Sequence, residues 1–382
     1  MVDQRRVLDR EREGLTNTES KIMTSDVNHA DHTRARAEAG VIIDHAEMER
    51  LIRSILIAVA TPPDIAEVVT RHLVNASLAG YDSHGIIQIP GYLKQIQQGI
   101  LNPTARPTIV TEKASTARVD AHQGWGMYAA HFCLQQAITK AQQSGVGAVS
   151  LGNSPHIGRL GQYAEDAAAR GMVGLVTFGE GKPGEFLAVP YGSSQRALST
   201  NPIAAGVPTG DDSPFVVDFA TTTIANARTW IYKERGEPLP EGVALDKAGA
   251  PTTDPDAYLD GGSLVIFGQH KGYGLSLLTC LLGALNGRMA TEDDNHLGGS
   301  FFLVVDVSAF TDSAAYGVST RTFLNGIKSA IPASGHREVL VPGDIEFRQR
   351  TQRRRSGIPL SLRVRDEIVQ VCQVLGVDYG KL

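Results

Sequence analysis

The chain of 382 residues has only three cysteines, Cys133, Cys280 and Cys372. They lie far apart and match no metal-ligand spacing, so a disulfide framework is not built into the sequence and reduced thiols in a cytoplasmic protein are expected. No apolar run reaches the roughly 18 residues that a membrane span requires, and no membrane association is expected. Positive charge is not in excess either. The 36 Lys and Arg against 41 Asp and Glu leave a formal charge of −5, which gives no electrostatic case for nucleic acid. No His, Cys, Asp or Glu cluster has the spacing of a metal site, so no metal is expected. Internal repeats are absent.

What is present is an apolar fraction of 42% and 40 glycines, the composition of a soluble globular protein rich in tight loops. The first 40 residues differ from the rest. They are highly charged and poor in large apolar side chains, so residues 1–40 are expected to form a disordered extension. The segment lacks the apolar core of a secretory signal, its acidic residues argue against a transit peptide, and Met23 is a candidate internal start.

From Val41 the pattern turns helical: Met48, Leu51, Ile52, Ile55, Leu56 and Val59 recur at spacings of three and four. Pro62-Pro63 ends that helix, and Asp64 helps start another carrying Ile65, Val68, Val69 and Leu73 on its inner face. A further helix fits "MYAAHFCLQQAITKAQQSG". Strand-like "VGAVSL", "MVGLVTF", "FVVDFA", "SFFLVVDV" and "EVLVPG" alternate with helices near 159–170, over "GYGLSLLTCLLGALNG" and over "SLRVRDEIVQVCQVLGV". The alternation is α/β, although the Gly- and Pro-rich stretches from 179 to 262 are too irregular for a plain doubly wound sheet. The helix from 272 is apolar on nearly all sides and is expected to be buried.

One stretch tests a specific alternative. In "GLVTFGEGKPGEFLAVPYG", Gly179, Gly181 and Gly184 have the G-x-G-x-x-G spacing of a dinucleotide-binding loop, directly after an apolar run. That fingerprint works only where the third glycine opens a helix whose N-terminus holds the pyrophosphate. Pro190 and Gly192 leave no room for such a helix. No convincing acidic residue follows at the ribose position, since Asp211 and Asp212 fall in a turn-like stretch. A Rossmann loop is therefore not expected.

Three polar clusters remain. His84, in "GYDSHGIIQIPGYL", follows a helix beside Ser83, as a loop general acid or base would, or as a structural histidine would. His156, in "LGNSPHIGRLGQYAEDA", lies at the mouth of a strand–helix turn with Arg159 one helical turn on. An imidazole and a guanidinium so placed suit a 2-hydroxy or 2-oxo acid, one taking the hydroxyl proton and the other holding the carboxylate. They equally fit a helix cap and a solvated arginine. Lys271, in "GQHKGYG" at the start of the apolar helix, is placed for an anion or phosphate, without the order of a Walker loop. Asp218 sits in an otherwise apolar strand, where a lone carboxylate needs a partner; it either orients a histidine or caps locally. The run "RQRTQRRR" (348–355) lacks aromatics and reads as a solvated helix face.

The series "DSHGIIQIPGYL", "NSPHIG", "STNPIAAGVP", "VVDFATT", "RGEPLPEGVALDKAGAPTTDP", "HKGYGLSLL" and "VLVPGDIEF…GIPL", in one order from residue 80 to 360, closely resembles the malate/L-lactate dehydrogenase family of nicotinamide-dependent oxidoreductases. The resemblance implies an α/β, non-Rossmann fold with a central cofactor domain and a helical part built from both chain ends. It implies boundaries at 41–115 for the N-terminal helical part, 116–309 for the cofactor-binding domain and 310–382 for a C-terminal part packing on the first. NAD or NADP, a small 2-hydroxy or 2-oxo acid and a homodimer are implied with it. By position, His156 matches the family's proton acceptor. His84 with Ser83 matches a substrate-pocket histidine that donates a proton in an imine-reducing branch, with Asp218 in support. Tyr92 matches a pocket tyrosine. Cofactor contacts are implied for Gly179, Glu180, Asn201, Asp218, Phe219, Ala220, His270, Lys271, Gly272, Pro342 and Gly343. Gln88 stands where many members carry an arginine for the substrate carboxylate, and Arg159 is the expected replacement. A cyclic imino-acid reductase and a catalytically silent dinucleotide-binding paralogue are the competing readings.

Overall fold

The computed structural model describes residues 40–292, 294–380 and 382. The expected disordered extension lies outside them, apart from residue 40. In chain order the first elements are β1 (Val41–Ile43), α1 (His45–Ala58), α2 (Pro63–Leu78), α3 (Ile89–Gln97), β2 (Thr108–Glu112), β3 (Thr116–Asp120), α4 (Gly126–Ser144) and β4 (Val146–Gly152). Then come α5 (Leu160–Ala168), β5 (Met172–Gly181), β6 (Ile203–Val207), β7 (Phe215–Phe219), α6 (Asn226–Arg235), β8 (Ala244–Leu245), β9 (Pro251–Thr252), α7 (Pro255–Leu259) and β10 (Ser263–Leu264). The chain closes with α8 (His270–Gly283), β11 (Leu297–Asp306), α9 (Ser313–Lys328), α10 (Asp344–Ser356), β12 (Ile358–Leu360) and α11 (Leu362–Leu375).

Seven strands form one mixed sheet in the order β2-β3-β4-β11-β5-β6-β7. Only β3 and β4 pair in parallel, while β11 joins β4 and β5 antiparallel through residues 297–306. A doubly wound sheet is thereby excluded. On one face, Ala164 and Ala167 of α5 press on Gly174 of β5 and its neighbour Gly206. On the other lies α8, so close that a Cβ on Gly179 would fall 2.4 Å from the Cys280 nitrogen. Successive residues of a strand face opposite sides, so Gly174 and Gly179 place the two helices in separate layers.

The chain ends meet. Val41–Ile43 pair antiparallel with Ile358–Leu360, and one core collects Leu51 and Ile55 of α1, Leu73 of α2, Tyr92 of α3 and Ile368 of α11. Two expectations fail. The "EVLVPG" stretch is not a strand: the Val341 N–H turns to the Asp344 carboxylate at 3.1 Å, and the Pro342 carbonyl accepts from Val216 at 3.3 Å. Helix α8 is buried only on its sheet side, for Leu277, Leu278 and Leu281 are exposed. Cys133, Cys280 and Cys372 are free and buried. No helix among the described residues is long and apolar enough to cross a membrane.

Candidate active site

Two short loops bring the two histidines together. The first is a pair of 3-10 turns, Asp82–His84 and Ile86–Gln88, between α2 and α3. The second joins β4 to α5 and carries His156. The rings of His84 and His156 lie 5.5 Å apart between centroids. The Ser83 hydroxyl is 2.9 Å from His84 Nδ1, and the Tyr92 hydroxyl is 2.8 Å from His156 Nδ1. Tyr92, only 2% exposed, packs edge-on against Trp125 with centroids 5.5 Å apart, so its hydroxyl is delivered by a rigid ring. Gln88 donates to the Ser83 carbonyl at 2.6 Å. It therefore braces the His84 loop.

His156 is open to solvent on one side and walled in on the others. That enclosure lowers its pKa to about 4. Enclosure, with the neighbouring His156 and Arg159, lowers His84 to about 3. Both imidazoles are therefore neutral near pH 7, the state a proton acceptor needs.

Arg159 departs from the free side chain expected of it. It is 1% exposed, and its Nη2 bonds Glu165 at 2.7 Å while Nε lies 3.6 Å from Asp218. Burial opposes its charge, but Glu165 and Asp218 outweigh that and raise its pKa. The guanidinium also lies over the Tyr81 ring, 4.7 Å from the centroid. Its Nη1 is buried and has no partner. Asp218 is corrected as well: its carboxylate accepts from the Gly161 N–H at 2.8 Å and faces Arg159, with no bond to His84 among the described residues. Burial raises its pKa to about 6, against Arg159 and the Gly161 N–H.

The expected cofactor residues fall into two groups. Asp218, Phe219 and Ala220 end β7. The Phe267 N–H donates to the Thr221 carbonyl at 3.0 Å, and the Phe219 and Phe267 rings meet edge-on at 5.7 Å, which fastens the start of α8 (His270, Lys271, Gly272) beside them. Pro342 reaches the same strand through Val216, and Gly343, at φ +100°, starts α10 there. These three stretches therefore converge on β7. Gly179 and Asn201 do not. Gly179 makes room for α8, and the Asn201 amide is fully engaged, accepting from the Glu180 N–H at 2.9 Å and donating to the Ser276 hydroxyl at 2.9 Å. Glu180, its pKa raised by burial, lines a separate cavity of about 600 Å³ with Asn153 and Ser154.

Residues 43–369 match the family model described as malate/L-lactate dehydrogenase. The chain belongs to this family. It is accordingly a dehydrogenase, an oxidoreductase. A hydroxycarboxylate dehydrogenase B of Escherichia coli is 32% identical over 358 residues, covering 90% of this chain and 97% of that one. Among solved structures, sulfolactate dehydrogenase from Methanocaldococcus jannaschii superposes with a TM-score of 0.80 at 30% identity, over 89% of this chain and 98% of that chain. A delta1-piperideine-2-carboxylate reductase from Pseudomonas syringae pvar. tomato gives 0.75 at 30% identity, over 87% of this chain and 100% of that one.

Two structural partners of the site were missed in the sequence. His72 of α2, fully enclosed and with its pKa held well down by burial, accepts the Arg159 N–H at 2.9 Å. Gly158, at φ +77°, permits this approach, since a Cβ there would lie 2.2 Å from His72 Nε2. Arg353 clamps the His84 loop from α10: its Nη1 bonds the Ser77 carbonyl and Asp82, and its Nη2 bonds Asp82 at 3.0 Å. No short-range signal marks either residue, because the partners are 87 and 271 positions away.

Proposed function

We propose that this dehydrogenase moves a hydride reversibly between NAD or NADP and a 2-hydroxy acid, with His156 as the catalytic residue that accepts the hydroxyl proton. The observation that carries this reading is the 2.8 Å contact of Tyr92 with His156 Nδ1. The tautomer in which Nδ1–H donates to the Tyr92 oxygen leaves Nε2 with a lone pair. The lowered pKa keeps that lone pair available at neutral pH. Arg159 Nη1, buried and unpartnered, is the donor for the substrate carboxylate. Ser83 holds His84 on the opposite side of the pocket, and Gln88 holds the loop that carries both.

A nicotinamide dinucleotide fits the donor set along β7. Helix α8 has no side-chain cap; its Lys271 N–H is taken by the Gly268 carbonyl at 3.1 Å, and the helix start stands beside exposed His270 and Lys271, where a pyrophosphate would meet positive charge. Exposed Phe219 offers an apolar face nearby. A nicotinamide held there would supply the hydride acceptor for the carbon that bears the hydroxyl. Lys271 and the α8 terminus hold phosphate, Asp218 holds Arg159 in place, and His156 removes the proton as the hydroxyl becomes a carbonyl. Pro342 and Gly343 close the same edge.

Absorbance at the reduced-nicotinamide band, with NADH or NADPH and a panel of 2-oxo acids, tests the reading. Consumption with an oxo acid supports it and identifies the cofactor. Turnover of a cyclic imine alone would replace it with the reductase reading, in which His84 donates; the depressed His84 pKa leaves no imidazolium for that at neutral pH. Binding without turnover would make the chain a silent paralogue.

The same reading includes a cytoplasmic homodimer. Leu277, Leu278 and Leu281 of α8, with Leu285 just beyond, form an uncovered apolar strip on a helix whose other side packs the central sheet, and a second copy of this chain is its proposed cover.

A further inference from the structure

The basic run 348–355 does not behave as one solvated face. Arg353 is buried against Asp82, and Arg348 pairs with Glu338. Arg350 and Arg354, four residues apart on α10, instead line a cavity of about 540 Å³ between α2, α5 and α10. Arg71 of α2 and Arg170, just beyond α5, line the same cavity. Arg71, Arg170 and Arg354 have no carboxylate within ion-pair distance among the described residues, while Arg350 bonds Glu165 at 2.7 Å and keeps a buried, unpartnered Nε. Gln162, 5% exposed, presents a further unpartnered amide oxygen on the cavity wall. Glu49 and Asp212, both exposed, and half-buried Asp166 also line the cavity, and none of the three is within ion-pair distance of these arginines among the described residues.

We propose that this cavity is a binding site for a small anion with two acidic oxygens, a phosphate or a dicarboxylate, distinct from the substrate and cofactor sites. Four guanidinium groups converge on one recess; of the carboxylates on its wall, Glu165 is the one in ion-pair contact with them, and it is shared with Arg159, while Asp166 stands close by, its pKa raised to about 6 by burial against the pull of Arg170, Arg71 and Arg350. His131, also on the wall, has its pKa lowered to about 4 by burial and then by Arg71 and Arg170, so the positive field is felt where a ligand would sit. A phosphate oxygen or carboxylate can take the Arg350 Nε, while Arg71, Arg170 and Arg354 close from the rim. Because Arg350 shares Glu165 with Arg159, an anion that draws Arg350 away leaves Glu165 more fully on Arg159. The substrate carboxylate would then be held less well and KM would rise with kcat little changed; this consequence rests on the proposed dehydrogenase reading, and the binding itself does not.

The test is isothermal titration calorimetry of the full chain with inorganic phosphate and, separately, with succinate. The variants are Arg71→Gln/Arg354→Gln, both exposed positions, and Lys271→Ala as a control at the cofactor site. Saturable binding of either anion that weakens by about 10-fold or more in the double variant and persists in Lys271→Ala supports the site, and the anion that binds identifies the chemistry. Should the double variant lose its cooperative melt, single Arg354→Gln is read by the same criterion. Absence of binding by both anions overturns the proposal. So does binding that survives the arginine changes, or that vanishes only with Lys271.

Discussion

The Tyr92 hydroxyl lies 2.8 Å from His156 Nδ1, and the ring that carries it is locked against Trp125. In the proposed reaction this pair leaves Nε2 as the imidazole nitrogen that takes the proton. Tyr92→Phe keeps the packing and removes the bond. A hydrogen bond contributes about 0.5–1.5 kcal/mol, so kcat should fall by up to about 10-fold with KM for the acid little altered. His156→Ala should cost roughly 100- to 10,000-fold, the range for a general acid or base. Steady-state kinetics on the two variants would separate a positioning residue from the base. Equal losses would show that Tyr92 does more than orient.

The pH profile has a definite sign. The His156 pKa is lowered, so its neutral, proton-accepting form persists below the usual imidazole range and disappears only as pH falls toward about 4. Oxidation of the hydroxy acid should therefore stay level through about pH 6.5, where an unperturbed histidine titrates, and drop only at lower pH. A kcat/KM profile with its acid limb near 6.5 would mean that solvent reaching the open face of the ring cancels the effect of enclosure.

Arg159 carries the substrate hypothesis. Arg159→Lys retains the charge but not the forked geometry that faces Glu165 and Asp218 and leaves a buried, unpartnered Nη1. KM for the acid should rise by roughly 10-fold, about 1.4 kcal/mol of binding, with a smaller change in kcat. An unchanged KM for every acid tested, in this variant and in Arg159→Ala, would remove Arg159 from substrate binding.

Arg353 acts on the same site from a distance. Arg353→Ala removes one of the two donors to the Ser77 carbonyl, the Gly80 N–H remaining at 3.1 Å, and frees Asp82, which begins the turn holding Ser83 and His84. Hydrogen bonds to a charged group contribute about 1.5–3 kcal/mol, so the urea midpoint should fall. Arg353→Lys, which cannot span both partners, should recover only part of it. Full stability in the alanine variant would show that the clamp is not needed.

The exposed leucine strip on α8 gives a size measurement. Wild-type protein should elute at twice the mass of one chain by light scattering, and Leu281→Glu should shift it toward the single chain. A wild-type monomer would leave the strip without its proposed cover.

Much of the central sheet was legible beforehand. β4, β5, β7 and β11 are short apolar runs bounded by turn residues, and α1, α4 and α11 show their stripes at helical spacing, because burial on one face writes its period into the chain. "EVLVPG" misled, since an apolar run carries no record of whether a strand edge is free to receive it. The outer face of α8 misled for a related reason: an all-apolar helix looks the same whether its own chain or another surface covers it. Within the candidate site, His84, His156 and Tyr92, which the structure brings together, were picked out through motifs. The charge partnerships were not. Arg159 lies 59 positions before Asp218, and Arg353 lies 271 after Asp82. Such pairs follow from how loops cross in space, which no local pattern encodes.

The pairing of Val41–Ile43 with Ile358–Leu360 also bears on how the protein is made. The helices that carry Tyr92 and the His84 loop emerge from the ribosome before the central sheet, but the strand and helix that complete their core, residues 358–375, follow it. Until then their apolar stripes have no permanent partner, so the nascent chain must keep them covered or shielded while the central sheet assembles. A stall or truncation before residue 358 would therefore damage the helices that carry Tyr92 and the His84 loop first, far back along the chain from the break.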